Sequence, residues 1–181
     1  LQDVTRQKRA EAAIRESEAT ARALINAPTD RILLTDNAGR ILDLNEAAAQ
    51  SLGKKRDEIM GEPPSAVLSP ASAAVRMPRM MDVIATGKAA RFIDEREGIW
   101  FDNVIYPVFN PQGEVARLAI VARDITDQKH AEAALRESES RYRTLAEASQ
   151  DIIFLIGQDD TVEYVNSYAA DVIYVIVHTL K

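Results

Sequence analysis

Apolar positions along the chain change their spacing several times, and those changes divide it. Over residues 3–26, and again over 126–147, scattered apolar residues stand among Ala, Glu, Arg, Lys and Gln, with no Gly or Pro. These are strong helix formers. Glu11–Arg15, Glu18–Arg22, Glu132–Arg136, Glu137–Arg141 and Glu139–Arg143 stand four apart with the acid first, the favourable orientation on a helix. Thr5 and Thr126 are expected N-caps. Along the second segment Ala131, Ser138 and Leu145 recur every seven residues beside Leu135 and Tyr142, and Ala10, Ser17 and Leu24 do the same beside Ile14 and Ala21. That spacing predicts a left-handed coiled coil whose small and polar residues make a weak seam. A parallel homodimer through Ala131, Leu135, Ser138, Tyr142 and Leu145 is expected; a solvated single helix is the plainer alternative.

Between the two helical segments the period switches to that of strands and short helices. Arg31–Asp36 and Arg40–Asn45 are short apolar runs around Asn37-Ala38-Gly39, a hairpin signal. Glu46–Leu52 reads as a helix capped by Asn45 and closed by Gly53. Another helical turn is expected at Arg56–Met60, then a loop rich in Ser, Ala and Pro, then a helix from Pro78 to Thr86 closed by Gly87. Three strand-like runs follow: Ala89–Arg96, Ile99–Phe109 and Glu114–Ile125, the last two joined by a tight turn at Asn110-Pro111-Gln112-Gly113. The fold class is therefore α+β, with one five-stranded antiparallel sheet and helices on one face.

A shift of 121 residues lays the chain on itself. AEAAIRESE, from Ala10 to Glu18, falls on AEAALRESE, from Ala131 to Glu139; Leu24, Asp30, Ile32 and Asn45 fall on Leu145, Asp151, Ile153 and Asn166. The period is too long for a solenoid repeat and suits tandem modules. The expected domains are the end of one module with its connector (1–26), a complete core (27–125), a second connector (126–147) and the start of another core (148–181). That last piece is too short to be a domain by itself, so its apolar run Val172–Val177 is expected to be disordered or docked on another chain. A chain opening on Leu1 also reads as a piece of a longer protein.

Composition removes several functions. Lys+Arg 22 against Asp+Glu 28 gives a net charge of −6, which offers no overall drive toward a phosphate backbone, so no nucleic-acid contact is expected. The chain has no cysteine, which removes disulfides, thiolate zinc sites, a cysteine nucleophile and a cysteinyl-flavin adduct. Apolar runs reach only about six residues, against the ~20 that span a bilayer; a cytoplasmic segment without membrane contact is expected. No P-loop, nucleophile-elbow or zincin motif occurs, and Asp159 and Asp160 read as hairpin-tip residues. His130 sits in a connector with Arg9 as its repeat counterpart and reads as a surface helix residue. No enzyme is expected within these residues.

Several stretches resemble the PAS family of sensory modules: TDNAGRILDLNEAA (35–48), the helix end Ala85-Thr86-Gly87, GIWFDNVIYPVFNPQGEV (98–115) and ARDIT (122–126). The last is similar to the family's Asp-Ile-Thr signature, and DVTRQK (3–8) looks like the same signature ending an earlier module. The resemblance covers practically the whole chain. It implies a five-stranded PAS sheet, a dimeric signalling role and a downstream output domain in the parent chain, with a sensor histidine kinase the expected type. Asp124, Ile125 and Thr126 become the expected relay, Asp124 pairing with a cation or backbone donor and Thr126 capping the outgoing helix.

PAS modules hold haem, flavin, metabolites or nothing. Haem needs an axial ligand, and the only histidines, His130 and His178, lie outside the core; Met77, Met80 and Met81 read as adaptable core filler. No cofactor is expected, although the residues leave non-covalent flavin open. Any cavity is expected between the long helix (Met80, Val83, Ile84) and strands carrying Trp100, Val104, Leu118 and Ile120. Arg76, Arg79 and Arg91 could serve an acid-binding pocket or remain solvated. Two functions follow: a sensor of a small ligand or redox cue relaying through the coiled coil, or a ligand-free dimerisation and spacer module.

Overall fold

The computed structural model describes residues 2–179, with side chains from 7 to 174. The side chains of Thr5, of 175–177 and of His178 therefore lie outside the described residues. The chain divides into two compact units, residues 1–126 and 127–181.

The first unit opens with α1 (Gln2–Asn26), followed by β1 (Arg31–Asp36) and β2 (Ile41–Leu44). Four helices come next: α2 (Glu46–Ser51), α3 (Arg56–Ile59), α4 (Pro64–Val67) and α5 (Pro70–Thr86). Strands β3 (Ala90–Arg96), β4 (Ile99–Phe109) and β5 (Val115–Asp124) complete it. All pairings are antiparallel, in the order β2-β1-β5-β4-β3. The expected five-stranded sheet, with the helices inserted after its second strand, is what the chain forms.

Register decides which residues face the helices. One row runs Leu44, Leu33, Ile120, Ile105 and Ala90 across all five strands. The next row on the same face runs Arg31, Ala122, Asn103 and Phe92, and beyond it Asp124, Phe101 and Asp94. The inner face is thus apolar at one end and polar at the other. Ile41, Leu44, Ala48, Ala49 and Ile59 form one buried cluster, and Met80, Val83, Phe92, Ile105 and Leu118 form a second.

Two elements differ from expectation. Helix α5 begins at Pro70 rather than Pro78, because Ser69 caps it by accepting from the Ser72 N–H and Pro70 fills the first turn. Pro78 then sits inside the helix but on its exposed side, where water can take the carbonyl that a proline leaves unpaired. The stretch expected as loop contributes α4 as well.

In the second unit α6 continues to Ala148, having begun at Thr126, and β6 (Phe154–Ile156), β7 (Val162–Val165) and α7 (Ser167–Thr179) follow. The run Val172–Val177 is helical rather than disordered, as part of α7, whose start is fixed by Asn166 accepting from the Ala169 N–H. The expected Thr5 cap is also displaced, since α1 already runs through that position.

The β3–β4 turn carries strain. Glu97 (φ 54°) and Gly98 (φ 82°) are both left-handed between the paired residues Arg96 and Ile99, as a two-residue turn of type I′ demands. A non-glycine residue there is disfavoured by ~1 kcal/mol, whereas Asn tolerates it. Glu97→Asn is expected to stabilise the protein by about 0.5–1 kcal/mol, seen as a higher urea midpoint at unchanged slope; a lower midpoint would contradict the turn assignment.

Candidate functional site

A buried asparagine fixes the entrance to the sheet. Asn45 donates through Nδ2 to the Ile25 carbonyl at the end of α1 and to the Asp30 carbonyl, both at 2.9 Å. Its Oδ1 accepts from the Ile32 and Ala48 N–H groups, both at 3.0 Å. The expected helix cap is present, and the same amide also binds α1 to β1. Asn166 repeats the arrangement 121 residues on, donating to Ala146 and Asp151 and accepting from Ile153 and Ala169. Asn26 supports the first junction by accepting from the Glu46 N–H, and Glu147 does so in the second by accepting from Ser167. The Tyr164 hydroxyl and Ser167 hold the Glu147 carboxyl down to about 2.

At the other end of the core, Asp124 accepts from the Thr126 N–H (3.0 Å) and hydroxyl (2.7 Å). The Thr126 hydroxyl accepts from the Trp100 N–H (3.0 Å), and the Ile125 N–H donates to the Trp100 carbonyl (2.9 Å). The Thr126 hydroxyl, then its N–H and the Arg31 charge, hold the Asp124 carboxyl below its usual value against a partial loss of hydration. Sequence assigned the cap to the Thr126 hydroxyl; here the carboxylate takes the first helical N–H, freeing the hydroxyl to tie the helix start to β4. Arg31 stands 3.7 Å from Asp124.

Two small cavities lie beneath the helices, of about 60 and 50 Å³. Leu33, Val67, Leu68, Arg76, Asn103 and Ile120 line both. The first also reaches Thr35, Gly39, Met80 and Phe92; the second reaches Ser51, Phe101, Arg31 and Arg96. Sites for drug-sized ligands run ~300–1,000 Å³, so a haem or flavin would require this layer to open, whereas a compact molecule would not.

Of the expected cavity residues, Met80 and Ile120 line the space. Val83 and Leu118 are packed solid in the core beside it, with Ile84 against them. Trp100 and Val104 are misplaced by one residue: the sheet turns Phe101, Asn103 and Ile105 inward and leaves Trp100 and Val104 on the opposite face. Trp100 instead acts through its backbone at the helix start. Arg91 pairs with Asp102 on that outer side and Arg79 lies over Phe92 (5.3 Å), while Arg76 is largely buried against Asp94.

Sequence reading missed Thr35, Arg31, Arg96 and Asn103. Asp94 accepts from Arg76 at 2.8 and 3.1 Å and from Asn103 at 2.9 Å. Burial pushes its carboxyl up, but Arg76, Asn103 and the Arg96 charge together bring it below the usual range. Arg96 donates to Ser51 at 2.9 Å and lies 5.0 Å from the Phe101 ring, which Arg31 approaches at 4.3 Å. The Arg31 Nε and the Thr35 hydroxyl are buried without a hydrogen-bond partner among the described residues.

A family model described as PAS fold matches residues 26–130, and one described as PAS domain matches residues 140–173. The chain is 28% identical over 149 residues to an uncharacterized protein of Sinorhizobium fredii, covering 72% of this chain and 17% of that protein. It is 25% identical over 150 residues to hybrid signal transduction histidine kinase D of Dictyostelium discoideum, covering 77% of this chain and 10% of that protein. The chain thus spans less than a fifth of these relatives. A crystallised domain of an HTR-like protein from Haloarcula marismortui is similar at a TM-score of 0.50 and 29% identity, covering 55% of this chain and 100% of that one. The PAS domain of a Colwellia psychrerythraea protein matches in fold at a TM-score of 0.51 and 18% identity, covering 63% and 98%.

Two substitutions test this geometry. Asn45→Ala strands buried donors and acceptors on three segments and is expected to destabilise by about 3 kcal/mol, since each orphaned group costs ~1–3 kcal/mol. Asp94→Asn removes the carboxylate facing Arg76 and is expected to destabilise by about 3 kcal/mol at pH 7. Because the folded-state pKa of Asp94 is depressed, its contribution is present above the ordinary value of 3.8 and lost as pH falls through the folded value. Wild type and Asp94→Asn should therefore converge in acid; a constant gap in urea midpoints down to pH 2 would refute the ion-pair account.

Proposed function

The chain belongs to the PAS family, and we propose that it senses a small ligand and relays occupancy through its outgoing helix to an output domain of the parent protein. The observation that carries this reading is a continuous polar path: Arg31 in the cavity wall, Asp124, then Thr126 and Trp100 at the start of α6. Asp124, Ile125 and Thr126 are the relay. Residues 27–125 are the complete sensory core, 126–147 the connector, and 148 onward the start of a further module. The output is a histidine kinase, supported by the similarity to hybrid signal transduction histidine kinase D. No helix among the described residues is long and apolar enough to cross a membrane, in keeping with a cytoplasmic role. The segment itself catalyses nothing in this proposal.

The relay passes through a dimer. On α6, Leu135 is 61% exposed, Tyr142 70% and Leu145 63%, with Ala131 and Ser138 in the same stripe. A second copy in parallel would cover them at ~25 cal/mol per Å². The seam is narrow, so its packing is easily biased, as a switch requires. The cavity and its unsatisfied polar groups favour this reading over a ligand-free spacer.

Replacing Leu135 and Leu145 together by Asp sets like charges across the seam. Sedimentation is expected to show wild-type dimers and double-mutant monomers, with the core melting unchanged. A monomeric wild type, or a dimeric double mutant, refutes the connector-driven dimer.

A further inference from the structure

The second cavity is built for negative charge. Arg31, Arg76 and Arg96 all line it, and no carboxylate does. Two acids stand beside these arginines: Asp94, which already accepts from Arg76 and Asn103, and Asp124, 3.7 Å from Arg31. Among the described residues Arg96 donates to the neutral Ser51 and to no carboxylate, with the charges of Glu97 and Asp94 nearby, and Arg31 keeps a buried Nε without a partner. Burial first, then the charges of Arg76 and Arg31, lower the Arg96 pKa from its usual value. Guanidiniums crowded into a low-dielectric space repel one another and favour an anion between them.

The adjoining space is different. The first cavity is walled largely by apolar groups, Leu33, Met80, Phe92 and Ile120 among them; besides Arg76 and Asn103, which it shares with the second, it holds Thr35, 3% exposed, whose hydroxyl has no partner among the described residues. A buried hydroxyl left unpaired is uncommon in folded proteins. The two spaces adjoin at Arg76 and Asn103. The occupant they describe has an anionic head, a short apolar body and a volume smaller than an aromatic ring system, since a cavity of about 150 Å³ is what admits benzene.

Resting on the sensory reading above, we propose that the core binds a short-chain organic carboxylate. Its carboxylate is held by Arg31 and Arg96 in the second cavity, and its body fills the first beside Thr35. Arg31 makes this site a switch. The guanidinium that meets the ligand is the one lying 3.7 Å from Asp124, so a bound carboxylate competes with Asp124 for it and loosens the clasp on Thr126.

Calorimetry on the 181-residue chain, with n-butyrate as probe, tests the site. Saturable one-to-one binding is expected, at least tenfold weaker for butyramide and for inorganic phosphate. Arg96→Met should weaken butyrate at least tenfold, Arg96→Lys less, and Arg91→Met, on the outer face, not at all. Thr35→Val should also weaken binding while leaving the protein folded. Equal binding of butyramide, equal binding of phosphate, or indifference to both Arg96→Met and Thr35→Val overturns the carboxylate site. Amide exchange at Thr126 should quicken with butyrate bound; an unchanged rate overturns the Arg31 coupling alone. Failure of butyrate to bind overturns this ligand class and leaves the dimer measurement, on which the relay rests, untouched.

Discussion

The architecture depends on one amide. Asn45 is 1% exposed and uses its carbonyl twice and its NH2 twice, on groups from the end of α1, the start of β1 and the start of α2. Helix ends leave unpaired backbone groups, and a chain that turns from helix to strand to helix within a buried corner leaves several together. A hydroxyl or carboxylate could satisfy some of them; only a side chain with two donors and two acceptor sites satisfies all four. That requirement explains why Asn166 appears at the same place in the repeat. It also makes the incoming helix part of the sheet's own hydrogen bonding rather than a loose appendage.

The sheet's inner face then separates two tasks. The row from Leu44 to Ala90 is apolar and supplies cohesion, while the rows holding Arg31, Asn103, Asp94 and Asp124 supply polar contacts. Gly39 marks how tightly the layers close over the first cavity. It has φ 81°, and a Cβ there would stand 2.6 Å from Pro64 Cγ, so a side chain at this hairpin would push α4 off the sheet.

Much of this was legible in the residues. The paired glycine and asparagine turns, the strand periods and the 121-residue repeat placed all five strands, the fold class and the helix junction at 124–126. The cavity was harder for a definable reason. Strand β4 carries apolar residues on both faces, with Trp100 and Val104 alternating against Phe101 and Ile105, so its pattern does not say which set turns inward. Choosing the wrong parity put two of the expected contacts, Trp100 and Val104, on the face turned away from the helices. The arginines were obscured for another reason: Arg31 and Arg96 sit at strand ends, where a cation ordinarily meets water, and only the position of α2 places Ser51 and Leu52 over them. Pro78 hid the first half of α5, because a proline reads as a helix start unless the exposed side of the helix is known.

The energies along the proposed path are graded in a way that suits signalling. Arg31 and Asp124 are 3.7 Å apart with the carboxylate 45% exposed, and such a pair contributes only ~0–1 kcal/mol. A carboxylate buried against the same guanidinium faces less solvent screening, so its attraction is the stronger of the two. The Asp124–Thr126 and Thr126–Trp100 bonds are short, at 2.7 and 3.0 Å, and outlast the loss of the weaker link. Ligand binding would therefore shift the clasp without melting the start of α6. A helix whose first residue is biased by a fraction of a kcal/mol can change a partnership only if that partnership is itself finely balanced, and the proposed seam of Ala131, Ser138 and three large apolar residues would meet that condition. A tighter, all-leucine seam would be more stable and deaf to the sensor.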